Sequence, residues 1–332
     1  MSIELLLKKA VAAHASDLHI APGFPPRLRI DGVLKEIPGA AALDAKEVTA
    51  LIEDCMDAPE KKQLAENLDV DFAIDLKNVG RFRANVFFEA QGLAAAFRLI
   101  PEKIPTLDEL HLPKVIKELT NLPHGLVLIT GPTGSGKSTT LAAMIDKINH
   151  EKNLHIITIE DPIEFIYHSD KSLINQRELD KSTKSFSHAL RAALREDPDI
   201  ILVGEMRDLE TVRLALTAAE TGHLVFATLH TPSAPESIHR IINVFPGDEK
   251  SLVRSMLSES LQAIVAQVLF PKKGGGRIAA MEILLANSAV RNLIREDKIP
   301  QMKSIIQTNA AAGMQTLEQH LKILKKEKWI AE

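Results

Sequence analysis

Leu126-Val127-Leu128-Ile129-Thr130 runs directly into Gly131-Pro132-Thr133-Gly134-Ser135-Gly136-Lys137-Ser138-Thr139, and a helix-forming stretch follows over 137–149. An apolar strand, a loop of the form G-x-x-x-x-G-K-S and a helix together make a phosphate-binding loop in its required context. The glycines let successive backbone N–H groups turn inward around a β-phosphate, and the helix N-terminus adds positive potential. The expected nucleotide-binding residues are therefore Gly131, Thr133, Gly134, Ser135, Gly136, Lys137, Ser138 and Thr139. Within that set Lys137 reaches the β and γ oxygens of ATP, and the Ser138 hydroxyl is placed for magnesium.

A second apolar run, Asp199-Ile200-Ile201-Leu202-Val203-Gly204-Glu205, ends in an acid. In a phosphate-loop sheet this position puts a carboxylate beside the magnesium and the γ-phosphate. The motif more commonly ends in Asp, so Glu205 is open to three roles: holding the metal through water, activating the attacking water, or both. Thr158-Ile159-Glu160-Asp161-Pro162-Ile163-Glu164 closes the intervening strand with acids around a proline, at the sheet end where doubly wound folds bind ligands. These acids read either as a pair facing magnesium, with Asp161 a metal candidate, or as a solvated loop start. His223 and His230 flank the apolar strand 224–228; His230 falls where a γ-phosphate sensor would sit, and either also reads as a structural histidine.

The pattern around these motifs alternates strands (126–130, 155–160, 200–203, 224–228) with helices (137–149, 185–196, 208–221), which predicts a mostly parallel sheet covered on both faces. The tail, 235–330, reads as predominantly helical around a hairpin at Gly274-Gly275-Gly276. Upstream lie an amphipathic helix at 3–14, short strands at 17–20, 27–30 and 33–37 with a hairpin at Asp31-Gly32, and a helix that Asp44 caps with Glu47 in a capping box. A helix at 59–67 and strands at 70–76, 81–89 and 93–99 complete a small α+β region. Three prolines within 101–113 read as a stiff connector, so the expected division is 1–99, a linker 100–113, and an ATPase domain 114–332.

Composition narrows the function. The 332 residues are 45% hydrophobic and 25% charged, which is ordinary for a folded two-domain protein. A net charge of −4 and 4% aromatic residues argue against a nucleic-acid motor, which needs basic surface and stacking platforms. The single cysteine, Cys55, excludes an internal disulfide and a four-cysteine zinc site and fits a reducing, cytoplasmic setting. No uncharged run approaches the length of a membrane span, so contact with a membrane is expected only through partners.

The phosphate loop, the acidic segment 158–164, the run from Arg195-Glu196-Asp197-Pro198-Asp199 to Gly204-Glu205-Met206-Arg207-Asp208 and the histidine segment 221–231 occur in the order and spacing of the secretion ATPase superfamily. The resemblance extends from Ala15-Ser16-Asp17-Leu18-His19 to Gly313-Met314-Gln315-Thr316. Ala289-Val290-Arg291-Asn292-Leu293-Ile294-Arg295-Glu296 resembles a helix motif of the pilus-retraction branch, departing from it only at Val290. Extension and type II secretion members usually carry an extra N-terminal domain and a four-cysteine zinc element, and this chain shows neither, which favours retraction.

The resemblance implies a RecA-like motor domain, a smaller α+β, PAS-like N-terminal domain and a homohexameric ring with nucleotide between protomers. It implies ATP and magnesium as cofactors, and as partners an inner-membrane pilus platform protein, the pilus base and an accessory retraction ATPase. Glu205, Glu160, Glu164 and His230 are then catalytic candidates, and Arg81, Arg83 and Arg98 match positions the family uses at the nucleotide interface. Ser138, Glu205 and Asp161 are the metal candidates. The helix at 289–296 is expected to be exposed, with Leu293 and Ile294 serving movement rather than hydrolysis.

Overall fold

The computed structural model describes residues 2–30, 32–77, 79–100 and 103–331 and divides into two units, Met1–Lys103 and Ile104–Glu332. Asp31 of the expected hairpin and Pro101 and Glu102 of the expected connector lie outside the described residues.

In the N-terminal unit α1 (Ile3–Ala12) starts on a Ser2 cap and buries Ile3, Leu6, Leu7 and Ala10 on one face. Strands β1 (Asp17–Ile20), β2 (Arg27–Ile30) and β3 (Val33–Glu36) follow, then α2 (Ala45–Glu53), which opens with the Asp44–Glu47 capping box, and α3 (Ala58–Asn67). Strands β4 (Asp69–Leu76), β5 (Gly80–Glu89) and β6 (Gly92–Ile100) complete an antiparallel sheet of order β3-β2-β1-β6-β5-β4. Its alternation is visible in β5, where Phe82, Ala84 and Val86 enter the core with α1 and α2 while Arg81 and Arg83 take the opposite face.

The C-terminal unit begins with α4 (Lys114–Leu119), β7 (Gly125–Thr130), α5 (Lys137–Glu151), β8 (His155–Glu160), β9 (Leu173–Glu178), α6 (Phe186–Ala193) and β10 (Ile200–Val203). It continues through α7 (Leu209–Glu220), β11 (Leu224–Leu229), α8 (Ala234–Asn243), α9 (Lys250–Ser260), β12 (Leu261–Pro271), β13 (Arg277–Leu285), α10 (Ser288–Arg295), α11 (Met302–Thr308) and α12 (Leu317–Lys326). The sheet runs β13-β12-β7-β11-β10-β8-β9, parallel except for β13. Every residue of β7 is buried. Val127 and Ile129 pack with Leu141 and Ile145 of α5, whereas Leu126 and Leu128 face the core shared with α7, α9 and α10. This is the two-faced α/β sheet that the strand–helix alternation predicts.

Three expectations change. Residues 104–113 pack on the C-terminal unit instead of spanning free: Leu107 is buried beside Val115 and Ile116, because the three leucines between the prolines are apolar enough to find a core. The tail is helical as read, but its hairpin is built from two long strands, and β12 joins the sheet beside β7. Strand β9 is absent from the sequence reading because an edge strand of composition Leu-Ile-Asn-Gln-Arg-Glu carries little apolar signal.

Candidate active site

The phosphate loop emerges from the C-terminal end of β7 and closes onto α5, whose cap Gly136 sits at φ +86°. Gly131 sits at φ +138°, where a Cβ would lie 2.2 Å from the Gln267 carbonyl oxygen and 2.8 Å from Ser135 Oγ. Only glycine fits both the dihedral and the space. Thr133 and Gly134 are exposed at the loop tip, Ser135 is buried, and Ser138 and Thr139 sit half-buried in the first turn of α5. Ser135 Oγ is buried without a hydrogen-bond partner. Lys137 is buried, and its Nζ donates to the carbonyls of Gly131 (2.8 Å) and Pro132 (3.1 Å). Burial pulls its pKa below the ordinary lysine value, opposed by the carboxylates of Glu205 and Glu164.

Those carboxylates arrive from neighbouring strands. Glu205 follows β10, where Gly204 is tightly held: its N–H donates to Ile159 O at 2.7 Å and its carbonyl accepts from Thr228 Oγ1. Glu205 Oε2 meets Arg207 Nη2 at 2.8 Å and His230 Nε2 at 3.3 Å. Arg207 also approaches Asp161, at 3.9 Å. Glu160, at the end of β8, accepts from Thr158 Oγ1 (2.6 Å) and Gln176 Nε2 (3.3 Å). Burial pushes its carboxyl up to about 7 against those two hydrogen bonds and a third from the Glu164 backbone. The structure thus gathers Lys137, Glu205, His230, Arg207 and Asp161 around one end of the sheet, with Glu164 in electrostatic reach of Lys137 and Glu160.

Among the described residues no group of three or more His, Cys, Asp or Glu side chains forms a metal cage. One hydroxyl (Ser138), scattered carboxylates and a loop that requires glycine at Gly131 instead suit an ion that keeps most of its ligands as water and phosphate oxygen, as magnesium does. His223 is placed differently from His230: its Nδ1 lies 3.0 Å from Ala218 O, at the end of α7.

Arg81, Arg83 and Arg98 belong to the N-terminal unit. Arg83 and Arg98 are cross-strand neighbours, and with Arg81 they make a stripe on the face of the antiparallel sheet opposite α1 and α2. Arg83 meets Asp71 at 3.4 Å, and Arg98 meets the buried Asp17 at 2.9 Å. Burial disfavours the Asp17 carboxylate, but hydrogen bonds from Ser16 and Arg98 outweigh it and hold the pKa below the ordinary value.

Sequence reasoning passed over several supporting residues. Gln176 on β9 donates to Glu160 and to Phe165 O (2.8 Å) and accepts from Tyr167 N (2.9 Å), so it holds the acidic loop to the sheet. Thr130, Ser237 and Thr231 form a hydroxyl chain with contacts of 3.4 and 2.6 Å, joining the foot of the phosphate loop to the residue after His230. Gln267 on β12 contacts the loop itself. A buried-polar signal existed only for Gln267, a lone carboxamide within the apolar run 263–270.

Residues 1–274 match the model of the type II/IV secretion system proteins. The chain belongs to that family. A type IV pilus retractation ATPase, PilT, of Pseudomonas aeruginosa is 56% identical over 97% of this chain and 93% of its own length. A twitching motility protein of Neisseria gonorrhoeae is 54% identical, over 92% of this chain and 82% of its own. A crystal structure of the pilus retraction motor PilT with bound ADP superposes with a TM-score of 0.92 at 50% identity, covering 100% of this chain and 95% of that one. As a member of the type II/IV secretion family the chain carries its phosphate loop, Glu205 and His230 inside the matched region, whereas α10 lies beyond it.

Proposed function

We propose that the protein is an ATP-hydrolysing motor that powers retraction of a type IV pilus by disassembling pilin, working as a homohexamer at the cytoplasmic face of the inner membrane. The observation that carries the reading is the convergence of Lys137, Glu205 and His230 beside a glycine-built loop, in a chain similar over almost its whole length to a pilus retraction ATPase. Backbone N–H groups of 131–136 and Lys137 hold the β- and γ-phosphates, with Thr133, Ser135 and Thr139 lining the same loop. Ser138, Asp161 and, through water, Glu205 would hold magnesium, which would supply positive charge against that of the phosphates.

Arg207 and His230 both touch Oε2 of Glu205, which leaves Oε1 as the oxygen for an attacking water. Glu205 takes the proton from that water while His230, on its other side, faces the γ-phosphate. Glu160, with a pKa near neutrality, exchanges protons at working pH, and Glu164 holds Lys137 in place. Arg81, Arg83 and Arg98 of one protomer supply guanidinium to phosphates held by the next, an arrangement worth about 10³ to 10⁵ in rate. The partners this reading assigns are a pilus platform protein and the pilus base, with an accessory retraction ATPase as a candidate third, and none is a nucleic acid.

The test is complementation of a deletion strain with wild type or Glu205→Gln, counting surface pili and scoring twitching. Abundant pili that never shorten, rescued by wild type alone, are the expected result. Purified Glu205→Gln should lose about 10² to 10⁴ in kcat while still binding ADP. Bald cells would move the assignment to pilus extension.

A further inference from the structure

Gln267 makes three contacts with the phosphate loop and the first turn of α5, although about 130 residues of chain separate them. Its Nε2 donates to the Ser135 carbonyl at 2.6 Å, and its Oε1 accepts from Thr140 Oγ1 at 2.8 Å. Its own main-chain oxygen fills the space that a Cβ on Gly131 would need. The side chain is 2% exposed, so both bonds lie out of water. Because the Ser135 carbonyl can only accept and the Thr140 hydroxyl here donates, the job requires a donor and an acceptor on one side chain, and a carboxamide has both.

We propose that Gln267 is the positioning residue of the phosphate loop, and this rests on the ATPase reading above. The peptide linking Ser135 to Gly136 is planar and trans, so its C=O and N–H point in opposite directions. Drawing the carbonyl toward β12 therefore aims the Gly136 N–H away from β12, as a donor for phosphate. The Thr140 bond pins the first turn of α5 to the same strut, fixing Ser138 and Thr139 relative to the loop. Strand β12 is itself held from behind. Gln267 pairs across the hairpin with Met281, whose N–H donates to His320 Nδ1 (2.9 Å) and whose carbonyl accepts from Gln315 Nε2 (3.1 Å). A strut on a strand fixed from both sides presets the loop before nucleotide arrives.

The test measures binding of fluorescent mant-ADP, the melting temperature without nucleotide, and steady-state KM and kcat, all on the full chain. Gln267→Leu removes both bonds and leaves an apolar side chain one heavy atom smaller. It should weaken mant-ADP by about tenfold to hundredfold and raise KM more than it lowers kcat. Thr140→Val removes one bond and should stay within about threefold of wild type, and the double variant should be no weaker than Gln267→Leu alone. Should Gln267→Leu not fold, Gln267→Glu decides, since it keeps the Thr140 bond but sets a carboxylate against the Ser135 carbonyl. It must then weaken mant-ADP at least about tenfold. Unchanged affinity in Gln267→Leu or Gln267→Glu, or losses that follow the drop in melting temperature equally in all variants, overturns the proposal. Wild type that itself binds no mant-ADP would sink the ATPase reading; wild type that binds beside an unaffected Gln267 variant sinks this inference alone.

Discussion

Glu160 and Glu205 show how the same residue type acquires different properties from its surroundings. Arg207 and His230 converge on one oxygen of Glu205, whereas Glu160 is sunk at the end of β8 with three neutral donors, Thr158, Gln176 and the Glu164 backbone. Three hydrogen bonds do not offset burial at Glu160, and its pKa rises from the usual carboxyl value to about 7. The folded state therefore holds a proton that the unfolded chain gives up, so stability falls as pH rises from about 4.5 through 7. Glu160→Gln should come close to wild type in unfolding free energy near pH 5 and exceed it near pH 8, by roughly 2–3 kcal/mol. Thermal melts across that range check this, and equal melts at pH 8 would show that the site is more open to water than its burial indicates.

Helix α10 corrects an expectation. Its sequence, Ser-Ala-Val-Arg-Asn-Leu-Ile-Arg, was expected to present Leu293 and Ile294 outward, but both are buried with Val290 in the core below β7 and β12. The exposed positions are Ser288, Ala289, Asn292 and Arg295, and Arg291 reaches back to the carbonyls of Ser258 (2.5 Å) and Glu259 (2.7 Å) at the end of α9. Apolar residues at helical spacing mark the inward face, so only the other residues of the motif are open to a partner. Leu293→Ala should cost about 2–4 kcal/mol of stability, lowering hydrolysis and movement together. Asn292→Ala should change stability by less than about 0.5 kcal/mol, so any loss of twitching it causes belongs to a contact. Denaturant melts beside ATPase assays separate the two effects. Between α12 and β13, His320 must stay neutral at Nδ1 to accept from Met281, and burial holds its pKa below the ordinary value. That stabilisation is complete above about pH 6.5 and fades as pH falls toward the lower folded value. The stability gap between wild type and His320→Gln should accordingly narrow from pH 7.5 to 5.5 in parallel melts.

At the scale of the whole molecule, each unit has its own core, and the loop and the single tryptophan, Trp329, both belong to the C-terminal one. Trp329 stacks on His111 with centroids 4.2 Å apart beneath Lys272, so its fluorescence reports the hairpin end of that unit. ADP at a hundred times its Kd should raise the unfolding free energy seen by Trp329 by about 2.7 kcal/mol, and Lys137→Ala should abolish the shift. A tryptophan transition indifferent to ADP would uncouple the hairpin from the loop. Among the described residues no helix is long and apolar enough to cross a membrane, which agrees with the hydropathy of the sequence.

What the sequence determined by itself was everything that depends on neighbours along the chain. The phosphate loop was legible because strand, glycines, lysine and helix are contiguous, and the parallel sheet because both faces of β7, β8, β10 and β11 are apolar. The Asp44–Glu47 capping box was legible for the same reason. Tertiary structure alone decided which distant residues serve that loop. Gln267 reaches it from β12, Gln176 holds Glu160 from an edge strand with little apolar signal, and α10 turns its leucine and isoleucine inward. Those outcomes follow from which strands become neighbours and which helix face meets the sheet. Long-range burial sets both, and local spacing carries no record of them.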